Sequence, residues 1–423
     1  MLLRNAVLAH GGRVDVRIDD GLVDEVRPAG TVEARPGEHV EDLEGYVLLP
    51  SPVDPHAHLD KALLGDRAPN PHGDLPNAIV AIRAIHGELN KADTARRARE
   101  AALIAVVHGT TALRSHVDCG VGPGLTSLEA LLEVREELRG YVDVQVLASV
   151  ASPIVGVAGS ENRAYLETAL EMGADGAGAC PHLDPDPAGC INVCLDLATR
   201  FERPIDLHVD ETLDPTALTL REYARAVAVR RFPYGAVAGH CVSLGVQPDT
   251  VQAQVAVELV KAGIAVVANP LTNLYLQARG TTVAPPRGLT AVRPLLAAGV
   301  TLAAGGDNVR DPFNAMGRGD ALETAALMVM AGHLTAEEAY ASVSSSARKA
   351  MGLPPVAVHA GSPADFLAIR GRSLTDAIAA ASEDRLVVKS GRVVCRTTVS
   401  STLSPPLSER PSPRPSRPDG VRA

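Results

Sequence analysis

The residues best suited to chemistry lie in Leu48-Leu-Pro-Ser-Pro-Val-Asp-Pro-His-Ala-His-Leu-Asp-Lys61, an apolar run that stops at prolines and delivers His56 and His58. In extended backbone residues i and i+2 share a face, so both imidazoles can point at one spot. Neutral imidazole is a good ligand for zinc or ferrous iron. A His-x-His pair alone is a weak signal, but three later stretches add to it. Leu207-His-Val-Asp-Glu-Thr212 offers a third nitrogen on His208 and, three residues on, Glu211, which can sit over a metal without binding it. Gly239-His-Cys241 supplies His240, and Ala304-Gly-Gly-Asp-Asn308 supplies Asp307 as a carboxylate ligand. Three histidines and one aspartate around one divalent metal ion (Zn2+ or Fe2+) leave a position for water, whose pKa falls to about 7 there. Glu211 can then carry the proton to a ring nitrogen or leaving group. His240 can hold the hydroxide or stabilise charge at the tetrahedral centre. Each residue alone has a plainer reading: a structural histidine, a glutamate favoured at a helix start, an aspartate cap. Five such coincidences in one chain make the plain readings the weaker account.

These residues need elements that bring them together. Strand-like runs end near His56, and further ones cover residues 110–116, 142–150, 176–180, 204–208, 236–240, 264–269 and 300–307. Helix-patterned segments intervene, among them 93–107, 127–138, 162–172, 216–232 and 250–262. Eight such units predict a (β/α)8 TIM barrel over residues 51–355, with chemistry at the C-terminal ends of the strands. The candidate residues fall at those ends. Alternating apolar and polar residues at 14–18, 22–26, 364–369 and 385–395 predict half-buried strands. Residues 1–50 and 356–396 are therefore expected to combine into a small β-sandwich domain. The Pro/Ser/Arg-rich stretch 397–423 cannot bury a core and is expected to be a disordered, solvated tail.

Composition narrows the function classes. With 46% hydrophobic and 21% charged residues among 423, the chain reads as soluble and globular. A net charge of −10 argues against nucleic acid and anionic membrane as partners. Aromatic residues make up 3% with no tryptophan, which argues against a base-stacking platform. The amino terminus lacks the basic start and long apolar core of a signal peptide. No run approaches the ~18 apolar residues that span a bilayer. Six scattered cysteines with no CxxC pair fit a reduced, cytoplasmic setting, and Cys190 and Cys194, on one helical face, read as core. Gly173-Ala-Asp-Gly-Ala-Gly178 lacks the order of a phosphate loop and reads as tight packing.

The order His-x-His, His, His, Asp resembles the amidohydrolase superfamily and, more narrowly, cytosine deaminase and its relatives. The similarity covers most of residues 1–395. It is dense at Pro55-His-Ala-His-Leu-Asp60, Arg114-Ser-His-Val-Asp118, Gly176-Ala-Gly-Ala-Cys-Pro-His182 and His208-Val-Asp-Glu211. Val267-Ala-Asn-Pro-Leu-Thr-Asn-Leu-Tyr-Leu-Gln-Ala-Arg279 and Gly306-Asp-Asn-Val-Arg-Asp-Pro312 are particular to this branch. The resemblance implies one metal, held by His56, His58, His208 and Asp307, with Glu211 in proton transfer and His240 on the attacking hydroxide. Some members bridge two metals with a carboxylated lysine after the fourth strand; Gly178-Ala-Cys-Pro-His-Leu-Asp184 has no lysine, so one metal is expected. The family also implies a possible homo-oligomer.

Three departures bear on the substrate. Where the deaminases place a glutamine that reads the pyrimidine's amide edge, this chain has Ile154, with Ser152 at the aromatic position, and an isoleucine cannot make that paired contact. Asn308 replaces the second aspartate of an Asp-Asp pair. Lys61 is similar to the lysine of His-x-His-Met-Asp-Lys in N-isopropylammelide amidohydrolase; it can meet an anionic ring oxygen or form a salt bridge with Asp60 or another rim carboxylate. The expectation is a hydrolytic deaminase that exchanges the amine of a small nitrogen heterocycle for oxygen and releases ammonia. The alternatives are opening of a cyclic amide, or cleavage of an N-alkyl amine from a triazine- or pyrimidine-like ring. A metal-binding protein without catalysis would have no need of Glu211 beside an open position.

Overall fold

The computed structural model describes residues 1–402; the tail expected to be disordered lies, from residue 403 on, outside the described residues. The chain begins with β1 (Leu2–Leu8), β2 (Arg13–Asp19) and β3 (Leu22–Pro28), an antiparallel meander. Its second hairpin turns on Asp20 and Gly21, both at positive φ (45° and 76°), the two-residue geometry whose twist matches the flanking strands. Next come β4 (Val40–Asp42) and β5 (Tyr46–Pro50), both parallel to β1.

Four residues past the end of β5 the chain is already in the barrel. Its strands are β6 (Asp54–Ala57), β7 (Ala112–Cys119), β8 (Asp143–Val150), β9 (Gly176–Ala179), β10 (Ile205–Val209), β11 (Ala236–His240), β12 (Ile264–Ala268) and β13 (Leu302–Ala304). All eight run in chain order, each parallel to its neighbours. Strands β9 to β12 are buried along their whole length, as expected of parallel strands covered by helices, and apart from Asp206, Leu207, His208 and His240 their residues are small or β-branched. The seam between β13 and β6 is closed by backbone bonds: Asp307 N–H donates to the His56 carbonyl at 2.8 Å, and His58 N–H to the Asp307 carbonyl at 3.1 Å. Three candidate ligands are thus tied together by main chain alone.

After the barrel, β14 (Phe366–Arg370), β15 (Arg385–Lys389) and β16 (Arg392–Thr397) return to the first sheet, in the order β16-β15-β14-β5-β1-β2-β3 with β4 beside β1. The two chain ends do combine, and hydrogen bonding runs through them as one eight-stranded mixed sheet around its own core of Leu3, Val16, Leu48, Phe366 and Leu386. Period-two alternation sends the next residues, Val47, Leu49, Leu367 and Val387, into the main core shared with the barrel. Arg385 of β15, 1% exposed, makes a paired contact with Asp320 at 2.7 and 3.1 Å and so fixes the sheet to the barrel's last helices.

Helix positions follow the sequence pattern with two instructive differences. The helix expected over 216–232 spans Thr219–Arg230, because Asp210 accepts from the Thr219 and Leu220 N–H groups and Asp214 folds the preceding residues into a turn. A short helix, Pro270–Leu276, occupies the connection after β12, with Pro270 in its first turn, where a missing N–H costs nothing. Among the described residues no helix is long and apolar enough to cross a membrane.

Candidate active site

His56 and His58 come from β6 and its end, His208 from β10, and Asp307 from the loop after β13; all four are at most 8% exposed. The Nε2 atoms of His56 and His208 are 3.2 Å apart, and those of His58 and His208 3.1 Å. Asp307 Oδ1 lies 3.3 Å from His58 Nε2 and 3.8 Å from His56 Nε2. Four donors bound at 2.0–2.2 Å in a tetrahedron stand about 3.4 Å from one another, so this spacing is that of metal ligands. Burial holds His56, His58 and His208 well below the ordinary histidine range, which keeps their lone pairs free. His58 Nδ1 faces Lys61 Nζ at 3.2 Å, which leaves Nε2 as the nitrogen turned to the cluster. Both Asp307 carboxylate oxygens lack a hydrogen-bond partner among the described residues. Burial and the nearby Glu211 push that carboxyl well above its usual range. A cluster of neutral imidazoles and one unsatisfied carboxylate, all turned inward, fits a single divalent cation.

Local backbone aims these groups. His240 and Asp307 adopt left-handed backbone, with φ of 67° and 61°, as do Asp210 and Cys241 at 50°. Such conformations cost energy for residues with a Cβ and persist where the surroundings determine them, commonly at functional sites. Glycine is required beside them. A Cβ on Gly239 would stand 2.9 Å from the His56 ring, and one on Gly305 2.8 Å from His56 Cβ and Asn269 Oδ1.

Glu211 and His240 lie beside the cluster. Glu211 Oε1 is 3.3 Å from His240 Nδ1. Burial pushes the Glu211 carboxyl up to about 8. Burial, with His182 close by, takes His240 down to about 3. Two residues that sequence reasoning gave no role hold this pair: Asn273 Nδ2 lies 3.1 Å from both Glu211 Oε1 and His240 Nδ1, and Asn269 Nδ2 lies 3.3 Å from His240 Nε2. Both asparagines sit in the branch-specific stretch 267–279, so the signal was present without an assignment.

The three substrate-contact candidates have distinct settings. Lys61 Nζ lies 2.8 Å from Asp118 Oδ1, 3.4 Å from Asp60 and 3.2 Å from His58 Nδ1. Burial alone would weaken its charge, but Asp118 and Asp60 more than offset that, and it stays an ammonium. The salt bridge with Asp60 is present, and Asp118 is a stronger partner that the sequence did not single out as one. Ile154 is buried in the main apolar cluster, its N–H donating to Asp184 at 2.8 Å. Asn308 is 2% exposed; its amide donates to Asp311 at 2.7 Å and accepts from Thr272 at 3.2 Å.

An eight-stranded parallel barrel with a buried histidine–aspartate cluster at its strand ends, and a sheet built from both chain ends, defines a barrel enzyme of the amidohydrolase class. The chain belongs to the amidohydrolase family, whose model matches residues 76–395. A curated relative, pterin deaminase of Rhizobium rhizogenes, is 32% identical over 390 residues, 91% of this chain and 88% of that protein. A crystal structure of 5-methylcytosine deaminase from Klebsiella pneumoniae liganded with 5-fluorocytosine superposes with a TM-score of 0.86 at 26% identity, over 96% of this chain and 100% of that one. N-isopropylammelide isopropylaminohydrolase from Burkholderia multivorans superposes with a TM-score of 0.81 at 28% identity, over 93% of this chain and 98% of that one.

Proposed function

We propose that this protein is a metal-dependent hydrolytic deaminase of a small nitrogen heterocycle, exchanging a ring amine for oxygen and releasing ammonia. The observation that carries the reading is Glu211. It is a buried carboxyl held near neutrality, beside four inward-turned donors but apart from them, as a proton carrier must be. The pterin deaminase and 5-methylcytosine deaminase relatives support it, because both names describe loss of an amine from a ring carbon flanked by nitrogen.

His56, His58, His208 and Asp307 would hold the cation, with zinc and ferrous iron the two that suit this donor set. When bound, the cation supplies a Lewis acid and an activated water at neutral pH. Glu211 takes one proton from the attacking water on its carboxylate and passes it to the ring nitrogen, then takes the second from the hydroxyl on the tetrahedral carbon and passes it to the amine, which leaves as ammonia. Asn273 keeps Glu211 and His240 in register for that transfer. His240, neutral at pH 7, offers a hydrogen bond to oxygen as charge develops there. With Ile154 in place of an amide-reading glutamine, the ring is selected by other contacts, and a pterin is the first class to test. Six free cysteines, with no disulfide among the described residues, suit a reducing cytoplasm.

Lys61 beside His58 and the resemblance to the N-isopropylammelide enzyme support one second reading, hydrolytic release of an N-alkyl amine. One screen separates the two. The zinc- and iron-loaded protein is given pterins, 5-methylcytosine, cytosine, isocytosine, creatinine and aminotriazines with and without N-alkyl groups. Ammonia from one ring class, lost in Glu211→Gln, is the expected result. Release of an alkylamine without ammonia establishes the second reading, and neither product from metal-loaded protein overturns both.

A further inference from the structure

Below the four inward donors lies a second buried polar group that the reaction does not use. His116 and Arg114 come from β7 and Asp206 from β10, and their side chains are at most 2% exposed. The His116 ring packs against two of the ligand rings, with centroids 4.3 Å from His56 and 4.7 Å from His208. Its Nε2 is 3.7 Å from Asp206 Oδ2, which Arg114 Nη1 also reaches at 2.9 Å. Arg114 is itself fixed by Gln145 at 2.9 Å, so the carboxylate's position is set from below.

Five buried atoms here have no hydrogen-bond partner among the described residues: Nδ1 and Nε2 of His116, Oδ1 of Asp206, and Nδ1 of both His56 and His208. Interiors rarely leave one such atom unsatisfied, and five on four neighbouring side chains call for an occupant. One ligating atom each of His56, His116 and Asp206 lie within 4.8 Å of one another. A water at the centre of such a triangle is at most about 2.8 Å from each corner, an ordinary hydrogen-bond length. Packing alone would be better served by an apolar ring of the same size, which would leave no orphaned atoms.

We infer that His116 and Asp206 are positioning residues of the metal centre, acting through a bridging water on the outward nitrogen of His56. A ligand histidine whose other N–H is held by a carboxylate or water has its tautomer and ring orientation fixed and its basicity raised. In this chain the carboxylate is Asp206, the ring between is His116, and Arg114 keeps the carboxylate in place. The inference rests on the reading of His56 as a ligand.

The test uses the full chain and zinc alone. Metal per chain, zinc affinity in a competing chelator and the melting temperature of the metal-free form are measured for wild type, His116→Phe and His116→Gln. Wild type should hold one ion. His116→Phe should fold but bind zinc roughly 10- to 100-fold more weakly, and His116→Gln, whose amide can still hold the water, should recover most of the loss. If His116→Phe fails to fold, His116→Gln with near-wild-type affinity still supports the relay, and the same variant with full loss overturns it. Wild-type affinity in His116→Phe, or two ions per wild-type chain, also overturns it. A wild-type chain that takes up no ion overturns the ligand assignment itself and the relay with it.

Discussion

Asn273 stands 3.1 Å from Glu211 Oε1 and 3.1 Å from His240 Nδ1, so one amide links the proposed proton carrier to the neighbouring imidazole. It also opposes the effect of burial on Glu211, since its hydrogen bond favours the charged carboxylate. Removing the amide in Asn273→Ala leaves two buried groups without a shared partner. Turnover should fall by roughly 10- to 100-fold with bound metal unchanged, because proton transfer is sensitive to placement of the carrier. Steady-state kinetics beside a metal assay decide it, and loss of metal together with turnover would place Asn273 in the cation's support instead.

Glu211→Gln is nearly isosteric and keeps an acceptor for Asn273 while removing the proton site. It should lower kcat by about 10² to 10⁴ with little change in zinc content or melting temperature. Retained turnover would show that another group moves the proton.

Metal uptake should be coupled to pH in a defined sense. Without a cation, burial pushes Glu211 up to about 8, so at pH 7 it favours its proton, and burial raises the Asp307 carboxyl well above its usual range. A bound cation favours the charged carboxylates, so binding expels protons and apparent affinity climbs as pH rises from 6 to 8. Calorimetric zinc titrations in two buffers of different ionisation enthalpy count the protons released. Glu211→Gln should release fewer, and equal counts from the two proteins would mean that Glu211 ionises independently of the ion.

The barrel was legible because its strands are short buried runs at regular spacing, and three of them lead into a chemically distinctive residue, His208, His240 or Asp307; the apolar run before His56 is β5 of the end sheet, and β6 itself is only Asp54–Ala57. Position after a strand and residue type together were enough to name the cluster. The helix Pro270–Leu276 was not legible, since its seven residues are too few for a periodic pattern, and with it went the roles of Asn273 and Thr272. Their partners lie 33 to 62 residues away, and hydrogen bonds at that separation leave no local trace. The sheet from both ends showed as alternation, yet its continuity through β5 and β14 depends on a pairing of residues more than 300 apart. Lys61 illustrates the middle case: Asp60 was visible as its neighbour, whereas Asp118 is brought in only by the pairing of β6 with β7.

The loop that carries Lys61 is held from behind, and that support should titrate. Arg97, 1% exposed, donates to the carbonyls of Asp60 and Ala62, each at 2.8 Å, while its Nε meets Asp93 at 2.9 Å. Asp93 also receives Arg67 and Arg96. Partial burial raises the Asp93 carboxyl, but the three arginines override this and bring it down to about 2. A carboxylate whose pKa is lower in the folded chain adds stability above its unfolded value near 4 and loses it as pH falls toward 2. Asp93→Asn should therefore destabilise the protein at pH 7, by no more than about 2 kcal/mol once solvent screening is allowed for. The difference from wild type should shrink steadily below pH 4. Denaturant unfolding at pH 7, 5, 4 and 3 measures it. A gap that stays constant across that range would mean that Asp93 acts by capping its helix at the Asn90 end rather than through its charge on Arg97.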